Sequence, residues 1–223
     1  QQGQIVEEGL VEDIFKNPPA KYRSAPFWGW DGDLEKEELL TQIDTFKQMG
    51  YGGFHMHARA GLITPYLSDA FMQRVRDCCK KAQKEGLYAW LYDEDRYPSG
   101  PAGGIVTRNP EYTRRYLRFT AYAYEEDVEY TVPQRGYARN PQGELLARYT
   151  VHLDEKGDLA SYRRLAAEET ASDVWYLYFE KQPATTDEEQ TYVDTLNPEA
   201  IQEFARVTHD RYKETVGDFF GNV

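Results

Sequence analysis

Three strand–helix units in succession, glycines that stop the first two helices, and a later switch to alternating aromatic and polar residues predict an α/β fold. The most economical form is a partial (β/α)8 TIM-type barrel with an inserted antiparallel β-meander. An open doubly wound sheet is the alternative, but no glycine-rich phosphate loop follows the first strand to support it.

Residues 1–24 read as a lead-in. Val6, Leu10, Val11, Ile14 and Phe15 have amphipathic helical spacing, and Asn17-Pro18-Pro19 ends the run. Residues 25–110 hold the first three units. APFWGW reads as a strand, Asp33 as the cap of a helix burying Leu34, Leu39, Leu40, Ile43, Phe46 and Met49, and Gly50 as its stop. GGFHM is the second strand, followed by a loop through Tyr66. Ser68 caps a helix with Phe71, Met72, Val75, Cys78, Cys79 and Ala82 inward, and Gly86 stops it. LYAWLY is the third strand.

The period changes in residues 111–190. YLRFTAYAY, DVEYTV, LLARYTVHL and VWYLYFE alternate in the strand manner, separated by Gly and Pro sites. Helical spacing returns in residues 191–223. Asn197 caps, Pro198 suits the first helical position, and Ile201, Phe204, Ala205, Thr208, Tyr212 and Val216 share one face before Gly217. Phe219–Val223 then looks like the approach to another strand, so the chain reads as the N-terminal portion of a larger barrel.

The 223 residues carry a formal net charge of −12, which argues against non-specific nucleic-acid binding. No run approaches the roughly 18 apolar residues of a membrane span. The polar start QQGQIVEEGL has no secretory signal pattern, leaving a cytoplasmic or a secreted location open. The two cysteines, Cys78 and Cys79, are adjacent on a helix, which disfavours both a mutual disulfide and a metal pair.

The densest chemistry lies in LYDEDRYPSGPAGG, residues 91–104. A short apolar strand opens there into Asp93, Glu94, Asp95, Arg96 and Tyr97 and then into Pro and Gly, as at an active-site rim. Three adjacent acids repel unless a cation or arginine compensates, and clustered oxygens also suit Ca²⁺. His55 and His57 are two apart on a strand, so both face one side, with Arg59 beyond. That geometry fits hydrogen bonding to a sugar, a divalent metal with Asp93 as a further ligand, or satisfied core histidines. Trp28 and Trp30 close the first strand beside Asp31 and Asp33. An aromatic platform beside acids suits a sugar, and core packing explains the same residues.

Taken together, APFWGWDGDL, GYGGFHMHARAGLITPYLS and GLYAWLYDEDRYPSGPAGG resemble the N-terminal barrel segment of glycoside hydrolase family 106, the α-L-rhamnosidase-like enzymes. TYVDTLNPEAIQEFARVTHDRYKETVGDFFG is similar to the same group. The resemblance implies a (β/α)8 catalytic domain with accessory β-domains acting on oligo- or polysaccharide. It also implies inversion by two glutamates, a place for Ca²⁺, and a further acidic strand end after the last helix. On this reading Asp93, Glu94 and Asp95 are the catalytic candidates. Trp28, Trp30, His55, His57, Arg59, Arg96 and Tyr97 are the substrate-binding ones. Two alternatives stand beside it: a metal-dependent hydrolase using His55 and His57, and a carbohydrate-binding fragment without catalysis. Open strand edges in a partial barrel further imply self-association.

Overall fold

The computed structural model describes residues 8–96, 98–124, 143–187 and 189–223. The segment DVEYTV and Tyr97 lie outside the described residues. Two compact units form, Gln1–Gly103 with Gln202–Val223 and Gly104–Ile201. No helix among the described residues is long and apolar enough to cross a membrane.

The first unit begins with α1 (Glu8–Lys16), then alternates β1 (Phe27–Gly32), α2 (Lys36–Gln48), β2 (Gly53–Leu62), α3 (Asp69–Glu85) and β3 (Tyr88–Leu91). The strands form a parallel sheet in the order β1-β2-β3. The chain later contributes α4 (Pro198–Ala205), a π-helical turn at Arg206–Asp210, and α5 (Arg211–Val216).

Local chemistry sets these boundaries. Ser68 accepts a hydrogen bond from the Phe71 N–H at 3.2 Å and caps α3, and Gly86 closes it at φ 69°. Asp33 does not cap α2 as the sequence suggests. Two residues intervene, Glu35 takes the cap position without a side-chain bond, and the Asp33 carboxylate instead accepts from the Thr64 hydroxyl at 2.6 Å. Thr64 in turn accepts from the Leu34 N–H at 2.9 Å, so this chain of bonds ties the end of β1 to the end of β2.

Alternation along the strands sends Trp28, Trp30, Phe54 and Met56 to the face covered by α2 and α3. There Trp28 packs edge-on against Phe46 and Phe54, and Trp30 against Phe71. Each such buried side chain contributes about 1.5–3 kcal/mol of apolar burial. Cys78 and Cys79 are unpaired and buried, and burial pushes the Cys79 thiol up to about 12, which leaves it a poor nucleophile.

Among the described residues no closed barrel forms, since the parallel sheet has three strands with β1 and β3 as its edges. The third strand is not followed by a helix either. Pro98, Pro101 and Pro110, with Gly100, Gly103 and Gly104, break the chain into a loop and two short 3-10 turns, Val106–Arg108 and Pro110–Tyr112.

The second unit holds β4 (Arg115–Thr120), β5 (Glu144–Leu153), β6 (Leu159–Arg164) and β7 (Val174–Lys181) in an antiparallel sheet. Its order, β4-β7-β5-β6, is not the simple meander the alternation suggests, because β7 returns to lie between β4 and β5. The sequence also hides β6. Every residue of that edge strand is exposed, so no apolar alternation marks it.

Gly53 carries the contact between β2 and β3. A Cβ there would sit 2.2 Å from the Tyr88 carbonyl oxygen and 2.5 Å from the Trp90 ring. Gly53→Ala should therefore lower stability by about 3 kcal/mol, read as a reduced denaturation midpoint in urea.

Candidate functional site

The sheet face opposite α2 and α3 carries Phe27, Gly29 and Asp31 from β1, His55, His57 and Arg59 from β2, and Tyr88 and Trp90 from β3, with Tyr92 just beyond. Pairing aligns Phe27 with His55 and His55 with Trp90. The His55 ring stacks between them, 5.4 Å and 19° from Phe27 and 4.9 Å and 16° from Trp90. This three-ring stack spans all three strands and is open to solvent, Phe27 being 61 % and Trp90 39 % exposed. Glycine makes room for it: Gly53 lies under Trp90, and Gly29 lies under the Arg59 side chain, whose Cγ would be 3.1 Å from an added Cβ.

His57 is the buried member of this face. Phe27 and Tyr92 meet its ring edge-on at 4.8 and 4.0 Å. Its Nε2 faces the Arg96 carbonyl oxygen at 3.4 Å, and its Nδ1 has no partner among the described residues. Burial holds the imidazole below its ordinary value of 6.5, so His57 is neutral at neutral pH.

At the carboxyl end of β3 the rim loop folds around one side chain. Glu94 is 0 % exposed. Its Oε1 accepts from the N–H groups of Asp95, at 2.9 Å, and Gly103, and its Oε2 from those of Gly100 and Ala102 at 2.9 and 2.8 Å. The loop can aim four donors inward because Gly100, Ala102, Gly103 and Gly104 all take positive φ. Ala102 adopts φ 52° despite its Cβ, a conformation that costs energy and persists because its surroundings enforce it. Burial pushes the Glu94 carboxyl above the ordinary carboxylate range, and the four N–H donors pull against that. With two donors on each oxygen, its lone pairs are committed inside the loop.

The other two acids point elsewhere. Asp93 is one-third exposed; its Oδ1 accepts from the Ser99 hydroxyl at 2.7 Å, and its Oδ2 lies 3.2 Å from Nε2 of His209. Asp95 is nearly buried and pairs with the Arg96 guanidinium at 3.0 Å. The three carboxylates therefore do not build one oxygen cage, and a Ca²⁺ site formed by this triplet is not supported. Nor do His55, His57 and Asp93 converge, since His55 is stacked, His57 faces a carbonyl and Asp93 faces His209. No group of three or more His, Cys, Asp or Glu side chains fit to hold a metal occurs among the described residues.

Trp28 and Trp30, expected as a sugar platform, are 7 % and 1 % exposed and pack on the helix-covered face, away from His55 and Arg59. Strand phase decides this: residues 28 and 30 alternate inward, so residue 27 points outward. Phe27, Trp90 and Tyr92 join the expected residues on this face, Trp90 and Tyr92 by sharing the strand phase that faces His55. His209 left no signal. It sits in the π-helical turn, where i→i+5 bonding breaks the 3.6-residue period used to read the helix. The Tyr212 hydroxyl, one residue into α5, donates to the Tyr92 carbonyl at 3.1 Å and fixes that helix to the end of β3.

No known family's sequence profile matches the chain, and no curated protein matches it. The structure is similar to that of a rhamnosidase from Novosphingobium sp. PP1Y, with 13 % sequence identity and a TM-score of 0.41, over 83 % of this chain and 27 % of that one. This chain thus spans about a quarter of that protein's length.

Glu94→Gln replaces one acceptor oxygen by an NH2 group facing two N–H donors, and should cost about 2–4 kcal/mol in a urea titration while the isosteric shape is kept. For His57, the unfolded chain takes up the proton first as pH falls, so its contribution is full above 6.5 and is lost below it. Stability measured between about pH 7 and 5 should fall more steeply for the wild type than for His57→Gln, which has no proton to gain.

Proposed function

We propose that the open face of the parallel sheet binds carbohydrate and that the chain is part of a glycoside hydrolase. The observation that carries this reading is the solvent-open Phe27–His55–Trp90 stack on the sheet face that α2 and α3 leave uncovered. Aromatic rings take the apolar face of a sugar, and polar groups at the margin take its hydroxyls. Asp31 and Arg59 lie on the same face, at the strand ends. The finer parts of the proposal come with the resemblance to family 106: an α-L-rhamnosidase-like specificity, an oligo- or polysaccharide substrate, hydrolysis by paired carboxyl groups, and a parallel sheet that forms part of a barrel. Within it, Asp93 is the rim acid with access to a substrate, and Glu94 shapes the loop that presents it.

A second reading, binding without hydrolysis, is favoured by one observation. The only glutamate of the rim motif has its lone pairs committed to the loop, and glycoside hydrolysis generally asks for two available carboxyl groups.

Titration calorimetry against rhamnosides, galactosides and glucuronides tests the binding, and turnover of the matching aryl glycosides separates the two readings. Trp90→Ala should weaken the best ligand at least tenfold, about 1.4 kcal/mol. Absence of binding to every sugar, or affinity indifferent to Trp90→Ala, would overturn the proposal.

A further inference from the structure

The Asp93–His209 pair joins two elements that the strand-based site does not otherwise use. Asp93 lies two residues beyond β3. His209 lies more than a hundred residues later, in the π-helical turn between α4 and α5. Both groups are held. The Ser99 hydroxyl donates to one carboxylate oxygen, the imidazole Nε2 meets the other, and the Phe204 ring packs edge-on against His209 at 5.5 Å. The contact is also accessible, His209 being 56 % and Asp93 33 % exposed at the side chain.

A carboxylate can only accept, so it selects the imidazole tautomer that carries hydrogen on Nε2. The lone pair then sits on Nδ1, the ring nitrogen not occupied by Asp93. An oriented carboxylate behind an imidazole is the arrangement that makes histidine an effective proton acceptor, because it fixes the ring and offsets the charge that develops. π-Helical turns of this kind occur frequently at functional sites.

We propose that Asp93 and His209 form a carboxylate–imidazole couple in which Nδ1 of His209 takes the proton of a water or ligand hydroxyl. The O–H bond breaks, an Nδ1–H bond forms, and the electron pair stays on the departing oxygen, which becomes the nucleophile. The positive charge left on the ring is balanced by Asp93, which keeps its hydrogen bond to Nε2–H and is itself a positioning residue. Ser99 fixes the second carboxylate oxygen and so the direction of the pair. The couple adds a base to the rim that the carbohydrate reading takes from Asp93, but its chemistry does not need that reading.

Carbethoxylation of the intact chain by diethyl pyrocarbonate near neutral pH, followed residue by residue by mass spectrometry, tests the couple without any substrate. His152, exposed on β5 and without a hydrogen-bond partner among the described residues, is the internal reference. His209 should react several-fold faster than His152. Asp93→Asn should bring it to the His152 rate, and Ser99→Ala should bring it part of the way. A merely structural tie only shields Nε2 and makes His209 the slower of the two. That result, or a ratio unchanged in Asp93→Asn with unaltered circular dichroism, would sink the proposal. The wild-type ratio decides even if Asp93→Asn does not fold. Failure here leaves sugar binding untouched, and failure of sugar binding leaves this ratio untouched.

Discussion

Four backbone N–H groups converge on the buried Glu94 carboxylate, and the shape of the rim follows from that convergence. A loop of Pro, Gly and Ala has little side-chain bulk with which to hold itself. Here the missing core is supplied by one anion, and the left-handed backbone at Gly100, Ala102 and Gly103 is the form the chain takes around it. Pro98 and Pro101 have no N–H to give, so the donors are Asp95 before them, Gly100 between them, and Ala102 and Gly103 after them. With the loop set, Ser99 meets Asp93, and the Arg96 carbonyl comes to His57. A charged group inside a protein is costly unless its hydrogen bonds are made, and in this loop all of them are local.

The parallel sheet divides its two faces cleanly. One face is an aromatic core under helices α2 and α3. The other presents aromatic rings and ionisable groups to solvent. The same residue types serve both ends: tryptophan is core at positions 28 and 30 and surface at position 90. What differs is strand phase, so a one-residue shift would exchange the two roles. The proposed chemistry is accordingly built on rigid strands and finished by a loop and a helix, with the less regular elements bringing the reactive groups.

Much of the first unit was legible in the chain. The Ser68 cap, the Gly86 stop and the inward face of α3 follow from local rules that the fold obeys. The three parallel strands were legible as short apolar runs between helices. The side they faced was harder: Trp28 and Trp30 look like a binding platform until pairing shows that the helices cover them. Asp33 looks like a helix cap because its bond to Thr64, thirty-one residues away in the chain, leaves no local trace. In the second unit, β6 was invisible because it buries nothing, and the place of β7 between β4 and β5 is a long-range choice that alternation does not encode. Glu94 stood out in the sequence as one acid in a triplet. Only the backbone around it shows that it works inward.

The π-helical turn at Arg206–Asp210 also decides which way α5 faces. Each residue of an α-helix advances about 100° around the axis. A turn with a wider repeat therefore resets the angular phase of everything beyond it. Wound as regular α-helix, the same residues would carry α4 into α5 as a single helix, tidier in its backbone bonding. The same repair would swing His209 and Tyr212 relative to the α4 face by roughly that angle. Tyr212 would leave the Tyr92 carbonyl and His209 would leave Asp93 together. The irregularity is thus a phase spacer, and in this segment regular helix and working geometry exclude each other.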